Sequence, residues 1–325
     1  MSVPPVEPLG PVGSDAPQRS PFAADRRLKR RKVVNRGMEG VSTLAALLAV
    51  AVLVIMVGSV FSRGAGAFTL DFFTKTAAGF DNPAGGGIAH AIVGSAMIVV
   101  LATVIAVPVG VLVAIYTSEF ARPQAAQAVR LCLDVLNGIP SIVIGIFIFG
   151  LLVVGHGQSA WAASVALSII MLPLIARSTQ EVLALVPHTL REAALAIGVS
   201  KWRMVIGIVL PASLGGVMTG ASLAIARVAG ETAPILFTSS IAVNQISTDV
   251  SKALQTIPVL IFTYSESPDP ADHQKAWAAA ILLIGFVLVA SLCSRLLMSR
   301  MLRRLEGGTR RSLVGKLVGR RHARS

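Results

Sequence analysis

The stretch REAALAIGVSKWRMVIGIVLP, residues 191–211, joins a short alanine-rich run to the start of a long apolar segment. Alanine and leucine are strong helix formers, and Gly198 is a residue type that ends a helix at little cost. Pro187, shortly upstream, suits the first turn of such a helix. The pattern therefore predicts a helix–glycine–helix elbow, placed directly before a segment that is apolar enough to enter a lipid bilayer.

The composition of the whole chain excludes a soluble enzyme. Hydrophobic residues make up 54% of the 325-residue chain and charged residues only 14%, whereas a soluble domain carries about 25% charge. A soluble fold of this size has too little polar side chain to cover so much apolar surface. The two cysteines, Cys132 and Cys293, form neither a disulfide framework nor a metal motif. The chain is predicted to be an all-α integral membrane protein.

Six apolar stretches are each long enough to cross the hydrocarbon core, which requires about 20 apolar residues in a helix. The third is interrupted by the sequence NGIPS at residues 137–141, and the fifth carries Arg227 and Glu231. Together they predict a six-transmembrane-helix domain over residues 41–300, with the elbow inside a cytoplasmic coupling loop, 183–207. The predicted spans are 41–61, 88–116, 131–154, 161–182, 208–237 and 277–298.

The basic residues predict the orientation of these spans. The net charge is +13, from 29 Lys and Arg against 16 Asp and Glu. With both termini in the cytoplasm, only four basic residues fall in outer loops, which agrees with the positive-inside rule. Residues 1–40 are predicted to be a disordered basic cytoplasmic tail, and 301–325 a second basic tail that lies against anionic membrane lipid. Charge clusters beside apolar spans favour membrane topology over nucleic-acid binding.

The fifth span contains the two residues that are most costly to place in a membrane, Arg227 and Glu231. Their spacing of four predicts that both lie on one helix face. Ionisable residues inside membranes usually face the bundle interior or a water-filled path, and a guanidinium can bind a phosphate oxyanion through two hydrogen bonds. Arg227, Glu231 and Thr232 are therefore predicted to line a substrate path. The alternative, which these residues alone leave open, is a structural ion pair that closes a helix kink.

Several motifs together resemble one known family. Residues 192–211 match the pattern EAA, three residues, G, nine residues and I-x-L-P, which is similar to the signature loop of importer-type ABC permeases. The segments ARVAGETAP at 226–234 and LNGIPSIV at 136–143 resemble those of phosphate ABC-transporter permeases. The segment SPDP at 267–270 resembles the second of the two phosphate permeases more than its partner. The resemblance covers roughly residues 40–300.

This resemblance implies an ABC importer permease fold with a cytoplasmic coupling helix, in which Glu192, Ala193, Ala194 and Gly198 dock onto a separate ATPase. It implies a phosphate importer in which two permeases form the translocation path, an ATPase dimer drives transport and an external protein delivers phosphate. ATP and magnesium then belong to the ATPase, because this chain has no glycine loop of the nucleotide-binding type. No catalytic residue, metal or cofactor is expected on this chain, and its expected place is the bacterial inner membrane.

Three other functions compete with this one. A permease for another oxyanion, such as sulfate or molybdate, fits the coupling loop equally well, because that loop contacts the ATPase and not the transported anion. A membrane scaffold that signals phosphate status through the basic tails is the second alternative. An intramembrane enzyme is disfavoured, because the sequence offers no convincing pair of nucleophile and base. The segments at 226–234 and 267–270 favour phosphate.

Overall fold

The computed structural model describes residues 26–77, 86–240, 245–292 and 295–296, with side chains from residue 30 onward. Regular secondary structure in these ranges is helical throughout. The chain divides into two compact units, Met1–Val57 and Gly58–Ser325. Five helices of the described residues are long and apolar enough to cross a membrane, or six if a pair bent by 96° counts as one span. The predicted all-α membrane architecture is confirmed.

Short connections join most of the helices in the described ranges. Three helices continue into π-helical turns, at Tyr116–Phe120, Phe149–Val153 and Val205–Val209. The α-helices are α1 (Arg26–Gly64), α2 (Leu70–Thr74), α3 (Ala89–Ile115), α4 (Pro123–Gly138), α5 (Ser141–Ile148), α6 (Ala160–Ala184), α7 (His188–Ala196), α8 (Lys201–Met204), α9 (Leu210–Val228), α10 (Ala233–Thr238), α11 (Ile257–Ser265) and α12 (Pro270–Leu292).

The first helix begins well before the apolar residues that can cross the bilayer. Its 39 residues correspond to a length of about 58 Å, roughly twice the hydrocarbon thickness. The expectation of a disordered tail up to residue 40 is therefore corrected for residues 26–40, which are helical. Arginine, lysine and leucine are good helix formers, and extending an existing helix avoids the cost of a new nucleus. Residues 1–25 and the predicted tail 301–325 lie outside the described residues.

Helices α3 and α6 form the centre of the second unit. Small side chains line their contact, including Ala102 and Ala106 on α3 and Ala163 on α6, all fully buried. Small residues let helix backbones approach closely, which is how helices associate in a membrane, where burial from water no longer drives contact. The Ser164 hydroxyl donates to the carbonyl oxygens of Ala160 at 2.7 Å and Ile98 at 3.2 Å. This buried polar group is therefore satisfied within the bundle.

The third predicted span is not one straight helix. Helix α4 ends at Gly138, α5 begins at Ser141, and the two are bent by 96°. Ile139 has an extended backbone, with φ −70° and ψ 129°, which is the conformation that a following proline favours. Pro140 also has no N–H to continue the helix. The interruption lies where the sequence predicts it, and it turns the chain sharply at this point.

The fifth predicted span, 208–237, is also divided. Helix α9 ends at Val228, and α10 begins only at Ala233, with a proline in its first turn. Residues 229–232 form a turn between the two helices. The expectation that Arg227 and Glu231 share one helix face is therefore wrong, because the helix ends between them.

The segment between α10 and α11 packs against the first turns of α3. A Cβ atom built on Gly94 would lie only 2.1 Å from the carbonyl oxygen of Gln255. The N–H of Ile257 donates to the Ser95 hydroxyl at 2.8 Å, and His90 Nε2 lies 2.7 Å from the side-chain oxygen of Gln255. Close backbone contact and hydrogen bonds therefore hold this segment, which belongs to the predicted outer loop, onto α3.

Replacing Gly94 by alanine is expected to destabilise the fold by about 1–3 kcal/mol, because the added methyl overlaps a backbone carbonyl that cannot rotate away. Gly285→Ala is the matched control, since Gly285 also lies inside a helix but has nothing within 4 Å of its Cβ position. Alanine in a helix interior is otherwise neutral or favourable. Thermal unfolding of the two purified variants in detergent makes the comparison. Equal unfolding midpoints would contradict the close contact at Gly94.

Candidate functional site

The elbow at residues 191–211 forms as the sequence predicts. Helix α7 ends at Ala196, Gly198 has a φ of +81°, and α8 begins at Lys201. Glycine permits this positive φ because it has no Cβ, so the chain can change direction here. Helix α8 then runs through a π-helical turn directly into α9. The elbow is therefore continuous with the helix whose last turn carries Arg227.

The predicted docking residues divide between two sides of α7. Glu192 and Ala193 are exposed, and the apolar side chains of Leu195 and Ile197 are 49% and 80% exposed. Ala194 is only 3% exposed and packs into a small core beneath the helix. An exposed apolar strip beside a carboxylate thus remains for contact with another protein. Ala194 instead attaches the helix to its own chain.

Arg191, the residue before Glu192, lies against the rest of the chain. Its guanidinium donates to Glu119 Oε1 from Nε at 3.1 Å and from Nη2 at 2.9 Å. It also donates to the carbonyl oxygens of Val186 at 2.6 Å and Leu183 at 2.8 Å. The charged side chains of Arg191 and Glu119 are only 13% and 6% exposed. Sequence reasoning gave neither residue a role, because Glu119 is 72 positions away along the chain.

A pocket of about 150 Å³ lies where the two interrupted spans meet. Its polar lining consists of Asn137, Ser141, Arg227 and Glu231. Helices α5 and α10 pack closely beside it, since a Cβ atom on Gly145 would lie 2.7 Å from the Cα of Pro234. The pocket exists because both spans break next to each other, which brings polar side chains and helix ends into an otherwise apolar bundle.

Arg227 and Glu231 both line this pocket, yet they are not paired with each other. Among the described side chains, ion pairs within 4.0 Å involve other residues, and Arg227 has no such partner. The structural ion pair considered as an alternative is therefore not formed in this structure. Arg227 is exposed in the single chain. An unpaired guanidinium beside an amide and a hydroxyl is an arrangement that can bind an anion.

The sequence assigned one residue to this site that the pocket does not contain, and it missed two others. Thr232 is at the N-cap position of α10, and its carbonyl accepts hydrogen bonds from the N–H groups of Ile235 and Leu236. It is not among the pocket-lining residues. Asn137 and Ser141 do line the pocket, although the sequence analysis assigned them only to a helix interruption and a family motif. The signal that pointed to them is NGIPS, a polar, helix-breaking sequence inside an apolar span.

An ion pair between Arg177 of α6 and Asp134 of α4 connects two helices that contribute to the pocket wall. Asp134 lies one helical turn before the pocket residue Asn137, and Ile170 on α6 is also part of the lining. Both charged side chains are partly exposed, so the pair contributes little to stability. Its position connects the C-terminal half of α6 to the broken span.

Together, the membrane-spanning helices, the exposed elbow and the polar pocket between broken spans define a class of protein: the permease subunit of an ABC importer. Comparison with known proteins agrees with that class. A family model described as binding-protein-dependent transport system inner membrane component matches residues 106–306. A bacterial alginate ABC transporter superposes with a TM-score of 0.59 and 14% identity over 84% of this chain and 96% of that chain. The inward-facing MetNI methionine ABC transporter gives 0.52, with 20% identity over 66% and 95% of the respective chains. At these identities the likeness concerns the fold alone.

Relatives with higher sequence identity show to which family within this class the chain belongs. The phosphate transport system permease protein PstA of Yersinia pestis is 39% identical over 280 residues, which cover 85% of this chain and 94% of the relative. The protein of the same name from Mycobacterium leprae is 38% identical over 268 residues, 81% of this chain and 87% of the relative. That of Haemophilus influenzae is 36% identical over 269 residues, with 82% and 94% covered. The chain therefore belongs to the PstA family of phosphate transport system permease proteins.

Proposed function

We propose that this chain is the membrane-spanning permease subunit of an ATP-driven phosphate importer. The observation that carries the proposal is the unpaired guanidinium of Arg227 in a polar pocket between two broken spans. Phosphate presents several oxygens, two of which a guanidinium can bind at once. The amide of Asn137 and the hydroxyl of Ser141 can donate further hydrogen bonds to the same anion. The names of the relatives support phosphate as the transported anion.

Glu231 has a different part in this proposal. An ion in transit must be bound strongly enough to enter a site and weakly enough to leave it. The carboxylate of Glu231 lines the same pocket as Arg227, so it offsets the positive charge and limits how tightly an anion is held. Thr232, the next residue, stays a proposed path residue because its hydroxyl can hydrogen-bond an anion that passes the turn.

The exposure of Arg227 supports a second permease subunit as a partner. A charged side chain that faces lipid near mid-membrane costs about 2.5–3.5 kcal/mol or more. Arg227 is exposed in the single chain, so a PstC-like permease that covers this side and encloses a water-filled path removes that cost. The two chains then form the translocation path between them.

The elbow supports coupling to an ATPase on another chain. Glu192 and Ala193 are exposed on α7 and are proposed to contact a PstB-like ATPase dimer, which binds the ATP and magnesium. Ala194 and Gly198 are proposed to keep the elbow in the shape that this contact requires. One continuous helical stretch, Lys201–Val228, leads from the elbow to Arg227. ATP-driven movement of the elbow can therefore open the pocket first to one side of the membrane and then to the other.

The remaining features of the proposal concern the location of the chain, its external partner, and the absence of a cofactor and of catalysis. The chain is proposed to lie in a bacterial inner membrane with both termini in the cytoplasm, where the basic tails meet anionic lipid. A PstS-like binding protein delivers phosphate on the opposite side. The permease itself is proposed to hold no cofactor and to catalyse no reaction.

Uptake of labelled phosphate tests the proposal. Cells that lack their own high-affinity phosphate permease receive this chain together with its ATPase, partner permease and binding protein. Uptake is expected to require this chain and to persist in excess unlabelled sulfate or molybdate, because the assembly selects phosphate. A strain carrying the other three subunits alone is the control.

Inhibition by the competitors would favour the second candidate, a permease for another oxyanion. The coupling elbow fits that candidate equally well. A complex that assembles with the ATPase but takes up no phosphate would still agree with the importer fold. It would contradict phosphate as the transported anion.

A further inference from the structure

We propose that the buried contact of Arg191 is the joint through which movement of α7 reaches the membrane helices. The Arg191 joint consists of the Arg191 guanidinium, the Glu119 carboxylate and the carbonyl oxygens of Leu183 and Val186. The inference rests on the proposed function, since it concerns how ATP hydrolysis on a partner is coupled to transport. It makes Arg191 and Glu119 positioning residues, which contact neither the anion nor ATP.

The geometry joins three parts of the chain at one guanidinium. Arg191 belongs to α7, Glu119 to the π-helical turn after α3, and the two carbonyls to the last residues of α6 and the connection that follows. A cation at a helix C-terminus is favourable, because the terminal carbonyls have no partner inside the helix. The ion pair is largely buried, so neither side chain can leave the contact without exposing an unpaired charge to the protein interior.

Neighbouring residues on α7 face opposite ways, which is the arrangement a transmitting element needs. Glu192 and Ala193 are exposed and available to a partner, whereas Arg191 and Ala194 are held against the chain. A push on the exposed side of this short helix therefore acts directly on the joint. A loop that was only tethered at its two ends would absorb such a push.

Beyond the joint, the π-helical turn after α3 is connected to α6 a second time, so the two can move together. Gln180 of α6 donates from Nε2 to the hydroxyl of Thr117 at 2.7 Å, and both side chains are buried. Helix α6 then extends from Leu183 at the joint to Ile170 in the pocket wall, a distance of about 20 Å at the rise of an α-helix. The joint thus lies at one end of a packed helix whose other half borders the site of Arg227.

A double substitution separates coupling from folding. Replacing a buried ion pair by apolar residues of similar size is often neutral for stability, whereas removing one partner is destabilising. The variant Arg191→Met with Glu119→Leu therefore keeps a packed contact without the charged joint, and Arg191→Lys keeps the charge without the forked donor geometry. Arg130→Met combined with Glu181→Leu is the matched control, because both residues are exposed.

The measurement uses the complete importer in proteoliposomes, with phosphate uptake and ATP hydrolysis recorded together and ATPase retention checked by co-purification. We expect the double variant to retain the ATPase and hydrolyse ATP, while phosphate moved per ATP falls about tenfold, a size typical of changes in coupling between sites. Arg191→Lys is expected to recover part of this loss. The control is expected to match the wild type.

Three results would overturn the inference. The first is an unchanged ratio of phosphate to ATP in the double variant. The second is a parallel loss of ATPase binding, hydrolysis and uptake, which would mean that the pair only supports docking or folding. The third is a wild-type complex that hydrolyses ATP but moves no phosphate, which would refute the proposed function and remove the basis of the inference with it. The first two results leave phosphate import by the wild type intact, so the two failures are distinguishable.

Discussion

Replacing Arg227 by alanine is expected to reduce phosphate uptake about a hundredfold, equal to about 2.7 kcal/mol, because hydrogen bonds to a charged group contribute about 1.5–3 kcal/mol. The side chain lines the pocket between the broken spans and has no ion-pair partner among the described residues. An anion entering this pocket would then meet only neutral donors and the negative charge of Glu231. Initial uptake rates at matched protein levels in the membrane make the measurement.

Two further variants separate charge from geometry. Arg227→Lys keeps the positive charge but loses the planar fork, so we expect an intermediate loss of about tenfold. Arg130→Ala removes an exposed arginine that does not line the pocket and should leave uptake unchanged. If Arg227→Ala transported phosphate as well as the wild type at normal protein levels, Arg227 would have no part in the path.

Reversing the charge of Glu192 by substitution with lysine is expected to weaken ATPase binding about a hundredfold and to abolish most uptake. Glu192 is exposed on α7, beside apolar side chains that are also exposed. Like charges brought together in an interface cost several kcal/mol, and central contacts commonly contribute about 2–4 kcal/mol. Co-purification of the ATPase with the detergent-solubilised permease measures the loss of binding, and labelled phosphate uptake measures its consequence.

Glu181→Lys is the control for this charge reversal. Glu181 is an exposed carboxylate near the C-terminal end of α6, close in sequence to the elbow but outside it. The control should retain both ATPase binding and uptake. Full ATPase retention in Glu192→Lys would show instead that docking uses the apolar strip of Leu195 and Ile197 without Glu192.

The broken spans show which features of the fold the hydropathy pattern predicted and which it did not. It located the apolar segments, and the sequence NGIPS at residues 137–141 marked where the third of them would be interrupted, because a proline removes a hydrogen bond of the helix. It did not indicate that the third span turns by 96° or that α9 ends before Glu231. The spacing rule for Arg227 and Glu231 failed for that reason, since it holds only along an unbroken helix.

The sequence by itself determined the membrane class, the approximate spans and the elbow at residues 191–211. Each of these follows from local chemistry: apolar length against the thickness of a bilayer, and helix formers followed by a glycine. Only the tertiary structure decided which polar residues meet. It placed Asn137 and Ser141 in the pocket of Arg227, and it brought Arg191 to Glu119. Such contacts depend on how helices pack through small residues and on where their ends lie, and the periodicity of a single helix carries no record of its neighbours.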